Sequence, residues 1–367
     1  MGWEKGHEVL LALTLSEALP PRTILDLVRS RTLDDIGRAG AVELAGSLSL
    51  GNQALEAVRS ACAKAREILG TLPHGVGAVA LNQHGYPALL REIPTPPPLL
   101  FVRGTLVRSD DRAVALVGSR KPTLAGVEIA RTLAAGLATA GLTVVSGLAR
   151  GIDTAAHQGA LEGGGRTIAV LGSGIDVMYP PENAGVAELI ASNGAIVSEL
   201  APGCAPIRKN FPRRNRLISG LALGTVVVEA GLRSGALITA DFALDQNRAV
   251  FAVPGAPGYA RSRGTNNLIK QGAKLVETAD DILEDLASDL RWSAPEGIQP
   301  SLGLTPEATP EELRIVELLS AAPIHVDEIS RHLGMAAGVV LGLLLSMETK
   351  GLAKSLPGKF YIAVGAR

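Results

Sequence analysis

Six short apolar runs recur through the middle of the chain, each passing through small residues into a stretch with helical spacing. They cover residues 113–117, 142–145, 167–171, 195–197, 225–228 and 249–253. Continuous runs of this kind, rich in β-branched residues, suit strands covered on both faces, as in a parallel sheet. Helix-length segments at 124–140, 154–162, 183–193 and 236–246 lie between them. Regular strand–helix alternation predicts an α/β domain with a doubly wound sheet. One more helix, strand and helix at 264–272, 274–276 and 279–286 belong at its edge.

The flanks read differently. Residues 1–72 form a helical domain. Val9, Leu10 and Leu13 recur at helical spacing, Pro20-Pro21 opens a second helix with Ile24, Leu25 and Val28, and a third begins near Leu33. Asn52 is the expected cap of a longer helix carrying Leu55, Val58, Cys62, Ala65 and Leu69 on one face. The α/β domain spans 73–290, and a Pro/Gly-containing linker follows at 291–308. Helix candidates at 311–320, 326–333 and 336–350, then strands at 352–355 and 360–364 about Pro357-Gly358, describe a winged helix over 309–367.

Composition narrows the classes. Hydrophobic residues are 47% of the 367, enough for a large core, and 35 basic residues nearly balance 36 acidic ones. Aromatics are only 3%, so a surface paved with stacking platforms is not expected. Two cysteines, Cys62 and Cys204, build neither a disulfide framework nor a metal cluster and fit a reduced compartment. The longest uncharged window, 132–149, contains Gly136, Gly141 and Gly147 and reads as helix, turn and buried strand rather than a membrane span. The apolar stretch 9–13 is too short for a signal peptide. A soluble, cytoplasmic protein without membrane association is expected.

In an open parallel sheet, ligands bind beyond the carboxyl ends of the strands. Those ends are Gly118-Ser119-Arg120, residues 146–151, Gly172-Ser173-Gly174, and Glu229-Ala230-Gly231 with Ser234-Gly235 opening the next helix. Glycines admit close backbone approach, helix N-termini favour anions, and Ser119, Ser234 and Arg120 add donors. Together these turns point to a phosphate-bearing ligand. There is no P-loop and no G-x-G-x-x-G, which disfavours nucleotide-driven chemistry. The densest basic cluster is Arg208, Lys209, Arg213, Arg214 and Arg216, interleaved with Asn210, Phe211, Pro212 and Asn215. It suits nucleic-acid phosphates, with Asn215 near base or sugar and Phe211 offering one stacking face. The alternative is a solvated helix start with Phe211 in the core and Arg214 or Arg216 paired to a carboxylate.

Other constellations carry less. Ser146, Asp153 and His157 resemble a hydrolytic triad on paper, but helix capping explains Asp153. His325 and His332 lack a third ligand, so neither a metal nor a cofactor is expected. The third winged-helix helix has few donors, which favours a protein contact or core packing over DNA reading. Lys354 and Lys359 near the wing keep a DNA role open.

Taken in order, several motifs resemble the DNA-processing protein A family (DprA, also called Smf). They are residues 117–120, 146–153 (SGLARGID), Ala155-Ala156-His157, 172–176, Phe211-Pro212-x-Arg214-Asn215-Arg216, 234–240 (SGALITA) and Val253-Pro254-Gly255, with Tyr86-Pro87 and 96–101 upstream. The resemblance covers about 78–290; the flanking domains match in type only, the first being of SAM or helix-hairpin-helix type. It implies an extended Rossmann-like domain that binds single-stranded DNA without catalysis. It also implies homodimerisation, protection of incoming strands in natural transformation, and loading of RecA recombinase against single-strand-binding protein. Gly118, Ser119 and Arg120 then belong to the DNA pocket, and Arg208 and Lys209 share the strand-gripping position. Two rivals are a nucleoside-monophosphate-cleaving enzyme and a winged-helix ligand-sensing regulator. The first expects P-G-G-x-G-T-x-x-E, which Gly224, Thr225 and Glu229 match poorly.

Overall fold

The computed structural model describes residues 3–48, 50–73, 75–287, 324–349, 353–356 and 359–363, with 311, 314–315 and 318–319. The chain divides into two compact units, Met1–Ser293 and Ala294–Arg367.

The first unit opens with α1 (Lys5–Leu15), α2 (Pro21–Ser30), α3 (Leu33–Ala39), α4 (Ala41–Ser47) and α5 (Asn52–Gly70). Pro21 occupies the first turn of α2, where its missing N–H costs nothing. Thr32 caps α3 by accepting from Asp35 N. The cap of α5 is Gly51, one residue before the expected Asn52. Leu10, Leu13, Ile24, Leu25 and Val28 are buried and belong to the same core as Val79, Leu100 and Phe101 of the sheet. Bundle and sheet are therefore stabilised together.

Nine strands form that sheet: β1 (Val76–Ala80), β2 (Leu99–Gly104), β3 (Ala113–Val117), β4 (Thr143–Ser146), β5 (Thr167–Val170), β6 (Ala195–Ser198), β7 (Gly224–Val227), β8 (Ala249–Ala252) and β9 (Lys274–Leu275). Their order is β1-β2-β6-β5-β4-β3-β7-β8-β9. From β6 to β9 every pairing is parallel, whereas β2 pairs antiparallel with both β1 and β6. All six expected runs are strands, with ends moved by a residue at most, and the edge strand is also present. The antiparallel β1–β2 pair is an extension that strand–helix alternation did not show. The helices are α6 (Ala88–Arg91), α7 (Leu124–Thr139), α8 (Ile152–Glu162), α9 (Ala184–Asn193), α10 (Asn210–Gly220), α11 (Gly235–Asp245), α12 (Arg263–Lys270) and α13 (Ala279–Ala287).

Along β3, Ala113, Ala115 and Val117 enter one core while Val114 and Leu116 enter another with Leu133, Leu137 and Phe251. Two-sided burial is what the uninterrupted apolar runs required. The chain winds from β3 through β4 and β5 to β6, then returns to place β7 on the other side of β3. That reversal creates a crevice at the carboxyl ends of β3 and β7.

The second unit contains β10 (Ile324–His325), α14 (Val326–Leu333), α15 (Ala337–Thr349), β11 (Ala353–Leu356) and β12 (Phe360–Ala363). The sheet order is β10-β12-β11, with both pairings antiparallel. Gly334, at φ +65°, ends α14 in the left-handed cap conformation. Of the expected helix 311–320, residues 311, 314, 315 and 318 are helical. The linker 291–308 and the Pro357-Gly358 turn lie outside the described residues. Val340, Leu344 and Met347 of α15 are buried in the local core, while Val339 and Leu345 are exposed. His325 caps α14, its Nδ1 accepting from Asp327 N. Among the described residues no single helix is long and apolar enough to cross a membrane.

Candidate nucleic-acid interface

A hollow of about 590 Å³ opens in the β3/β7 crevice. Gly118, Ser119 and Arg120 line it from the end of β3, and Arg208, Phe211, Arg214 and Asn215 from α10 and its approach. Arg233, Ser234 and Gly235 line it from the turn into α11. Every candidate residue is therefore at this hollow except Lys209 and Arg216.

Backbone bonding fixes the rim. Ser119 N donates to Glu229 O at 2.7 Å, joining the turn after β3 to that after β7. Ser119 Oγ accepts from Lys121 N, and Ser234 Oγ accepts from Ala236 N as the cap of α11. Each hydroxyl still has its O–H to donate. The N-terminus of α11 faces the hollow, and a Cβ at Gly235 would meet nothing within 4 Å. The positive end of the helix and the Gly235 N–H, which no protein group accepts from among the described residues, favour an anion here. Gly172 works differently: a Cβ there would lie 2.8 Å from the Phe211 ring, so this glycine makes room for a side chain, not a ligand.

Phe211 is half-buried. Its ring centroid is 5.7 Å from that of Tyr179, and the Arg120 guanidinium stands 5.2 Å from it. The ring is thus neither a core residue nor an empty platform.

The basic cluster splits into two kinds of arginine. Arg214 is 3% exposed, and its Nη1 donates to Gly147 O at 2.6 Å and to Val170 O. It ties α10 to the ends of β4 and β5. Burial pulls this guanidinium down to about 10, still charged at neutral pH. Arg216 pairs with Glu199 and donates to Thr95 O at 2.6 Å, while Arg213 lies 3.2 Å from the same carboxylate. These three are spent within the protein. Arg214 forms the floor of the hollow, and Arg216 lies outside it, so the internal-pairing alternative holds for Arg216. Arg208 and Lys209 are exposed and, among the described residues, have no ion pair. Arg233, also exposed, lies outside the basic cluster that the sequence singles out; its only signal there is a lone cation in a turn bounded by Gly231 and Ser234-Gly235.

Asp153 does not cap α8, whose N-cap is Gly151. Its Oδ2 accepts from Gly147 N at 3.2 Å and Ala149 N at 3.4 Å, clamping the turn in which Leu148 has φ +54°. Burial raises the Asp153 carboxyl pKa, and the Arg214 charge opposes that. Ser146 Oγ donates to Leu116 O, and His157 Nδ1 lies 2.7 Å from Thr167 Oγ1. Burial, with Arg214 adding, holds His157 down to about 3. Ser, His and Asp thus face separate partners, with no nucleophile–base contact. Glu229 Oε2 accepts from Thr123 N and Oγ1, anchoring the start of α7 outside the hollow.

Comparison with known proteins agrees with this geometry. Residues 77–287 match the family model of DNA recombination-mediator protein A, and 299–359 match the DprA winged helix domain. Protein Smf of Escherichia coli is 42% identical over 279 residues, covering 75% of this chain and 74% of its own. The X-ray structure of DNA processing protein A from Streptococcus pneumoniae superposes with a TM-score of 0.67 at 35% identity, covering 78% of this chain and 99% of that one. DNA processing protein A from Helicobacter pylori, whose structure describes a single-stranded DNA binding mode, gives 0.52 at 30% identity, over 58% and 95%. This chain, an extended Rossmann-like sheet between N-terminal helices and a winged helix, belongs to the DNA recombination-mediator protein A family.

Proposed function

We propose that the β3/β7 hollow binds single-stranded DNA and performs no chemistry on it. One observation carries this reading: Arg120, Arg208 and Arg233 converge with the α11 N-terminus around the exposed part of Phe211. Cations and free N–H groups suit phosphates, and one aromatic ring suits one unstacked base. A duplex keeps its bases stacked on a stiff path and fits such a hollow poorly. Gly118, Ser119, Ser234 and Gly235 supply backbone and hydroxyl donors, Asn215 a base or sugar contact, and Arg214 the charged floor. Arg208, on the hollow, is the main phosphate contact of the 208–209 pair, and Lys209 an outer one. The 73–290 domain holds this site. In the cytoplasm a homodimer would protect incoming strands and load RecA recombinase against single-strand-binding protein, as the family resemblance implies.

The test is affinity against salt for mixed and homopolymer oligonucleotides. Removing one cation from a phosphate lowers the single-strand salt slope by about 0.7. Arg208→Ala is expected to weaken binding and lower the slope by that amount, with Lys209→Ala weaker in both respects. Sequence preference should stay the same, because phosphate contacts carry no base information. A folded Arg208→Ala protein with wild-type affinity and slope would place the DNA path elsewhere.

A further inference from the structure

The same edge of the sheet carries a second cluster that the hollow does not use. Residues 253–262 connect β8 to α12 and run beside the turn after β7. Gly264 N donates to Ala230 O at 2.8 Å, and a Cβ on Gly231 would lie 3.3 Å from Ala260 O. The base of this loop is pinned where Asn266 exchanges two hydrogen bonds with the backbone of Gly255, at 3.1 and 2.8 Å. Its tip presents Tyr259, 65% exposed, with Arg261 and Arg263 exposed just beyond. Arg261 stands 3.9 Å from the buried Glu229, and Arg263 has no ion pair among the described residues. A large ring standing in solvent between small residues and two cations stabilises nothing visible in the fold.

We propose that this loop extends the strand-binding site, with Tyr259 stacking on a base beyond those in the hollow and Arg261 and Arg263 taking the adjacent phosphates. The proposal rests on the single-stranded DNA reading of the hollow. Continuity favours nucleic acid over a protein partner. β3, β7 and β8 are consecutive in the sheet, so the loop leaves β8 about 10 Å from the turn after β3 at the usual strand spacing. Arg233 and Gly231, on the intervening turn, already line the hollow, and Gly231 lies against Ala260 of the loop. An aromatic ring flanked by cations is the pattern that grips strands without reading sequence.

The experiment measures full-length protein binding to labelled oligothymidylates of about 4 and about 16 nucleotides, the range of single-strand site sizes. Tyr259→Ala is expected to weaken the long oligonucleotide at least about fivefold, the lower end of a stacking contact, and to leave the short one within about twofold. Tyr259→Phe, which keeps the ring, should bind as wild type. The double variant Arg261→Ala/Arg263→Ala should lower the salt slope of the long oligonucleotide by about 1.4. Equal losses at both lengths, no loss at either, or a Tyr259→Phe defect as large as that of Tyr259→Ala would overturn the extension and leave the hollow intact. That result would fit a protein contact at this loop instead. A wild-type protein that binds neither length would overturn both readings.

Discussion

Arginine takes two roles at this sheet edge, and position relative to the core separates them. Arg214, Leu217 and Ile218 lie at i, i+3 and i+4 and share the buried face of α10. That period was present in the sequence, yet charge density alone groups Arg214 with Arg208, which precedes the helix and stays exposed. The pairing of Arg216 with Glu199 was not legible, because Glu199 arrives from the end of β6. His157 offers a sharper residue-level test. Thr167 Oγ1 donates to Val144 O, so His157 Nδ1 carries the proton donated to Thr167, and Nε2 is buried without a partner. The unfolded chain protonates this imidazole near 6.5, whereas the folded protein resists until about 3. The unfolded state therefore binds more protons in that window, and stability falls as pH drops below about 6.5, by up to about 1.4 kcal/mol per unit. His157→Asn keeps a donor for Thr167 but has no basic nitrogen. Urea unfolding from pH 7 to pH 4.5 should show a shallower loss for the variant; parallel slopes would refute a neutral buried His157.

At the scale of elements, strands buried on both faces were legible because they are mostly apolar and uncharged, with only small Thr, Ser or Gly residues among them, and the flanking turns are small. β1 and β2 were not: Gly77 interrupts the first, and the prolines at 96–98 precede the second, so neither repeats the strand–helix rhythm. The glycines of these turns do not all leave room for a ligand. Gly235 opens onto the hollow, but a Cβ at Gly147 would lie 2.5 Å from Arg214 Nη1. That difference separates two apparently similar substitutions. Gly147→Ala should push Arg214 off the carbonyls at the ends of β4 and β5, shift α10, and destabilise the fold by about 1–3 kcal/mol as overpacking does. DNA affinity should fall with it. Gly235→Ala meets open space at the start of a helix, so stability should stay within about 0.5 kcal/mol or rise slightly. Its methyl nevertheless intrudes on the anion approach, and affinity should fall. Thermal melts alongside binding curves check both; a Gly235→Ala protein that binds normally would remove the α11 N-terminus from the DNA path.

For the whole molecule, the issue is whether both compact units touch DNA. The first unit owns the hollow, the free arginines around it, and a core shared by bundle and sheet. In the second, α15 occupies the place of a groove-reading helix, yet from Ala337 to Thr349 its sole charge is Glu348. One side of that helix is spent on Val340, Leu344 and Met347, and the other exposes Val339 and Leu345, which donate no hydrogen bonds. Phosphates need donors and base edges need polar partners, so this helix has little to offer a strand. A chain ending at Ala287, the last residue of α13, keeps every residue assigned to the hollow and to the loop after β8. It should retain single-strand affinity to within tenfold, about 1.4 kcal/mol, with an unchanged salt slope. Circular dichroism and a cooperative melt establish that the shortened chain is folded before its affinity is compared. If such a folded chain binds more than tenfold more weakly and its slope drops, the second unit contributes phosphate contacts, and Lys354 and Lys359 are the first residues to change.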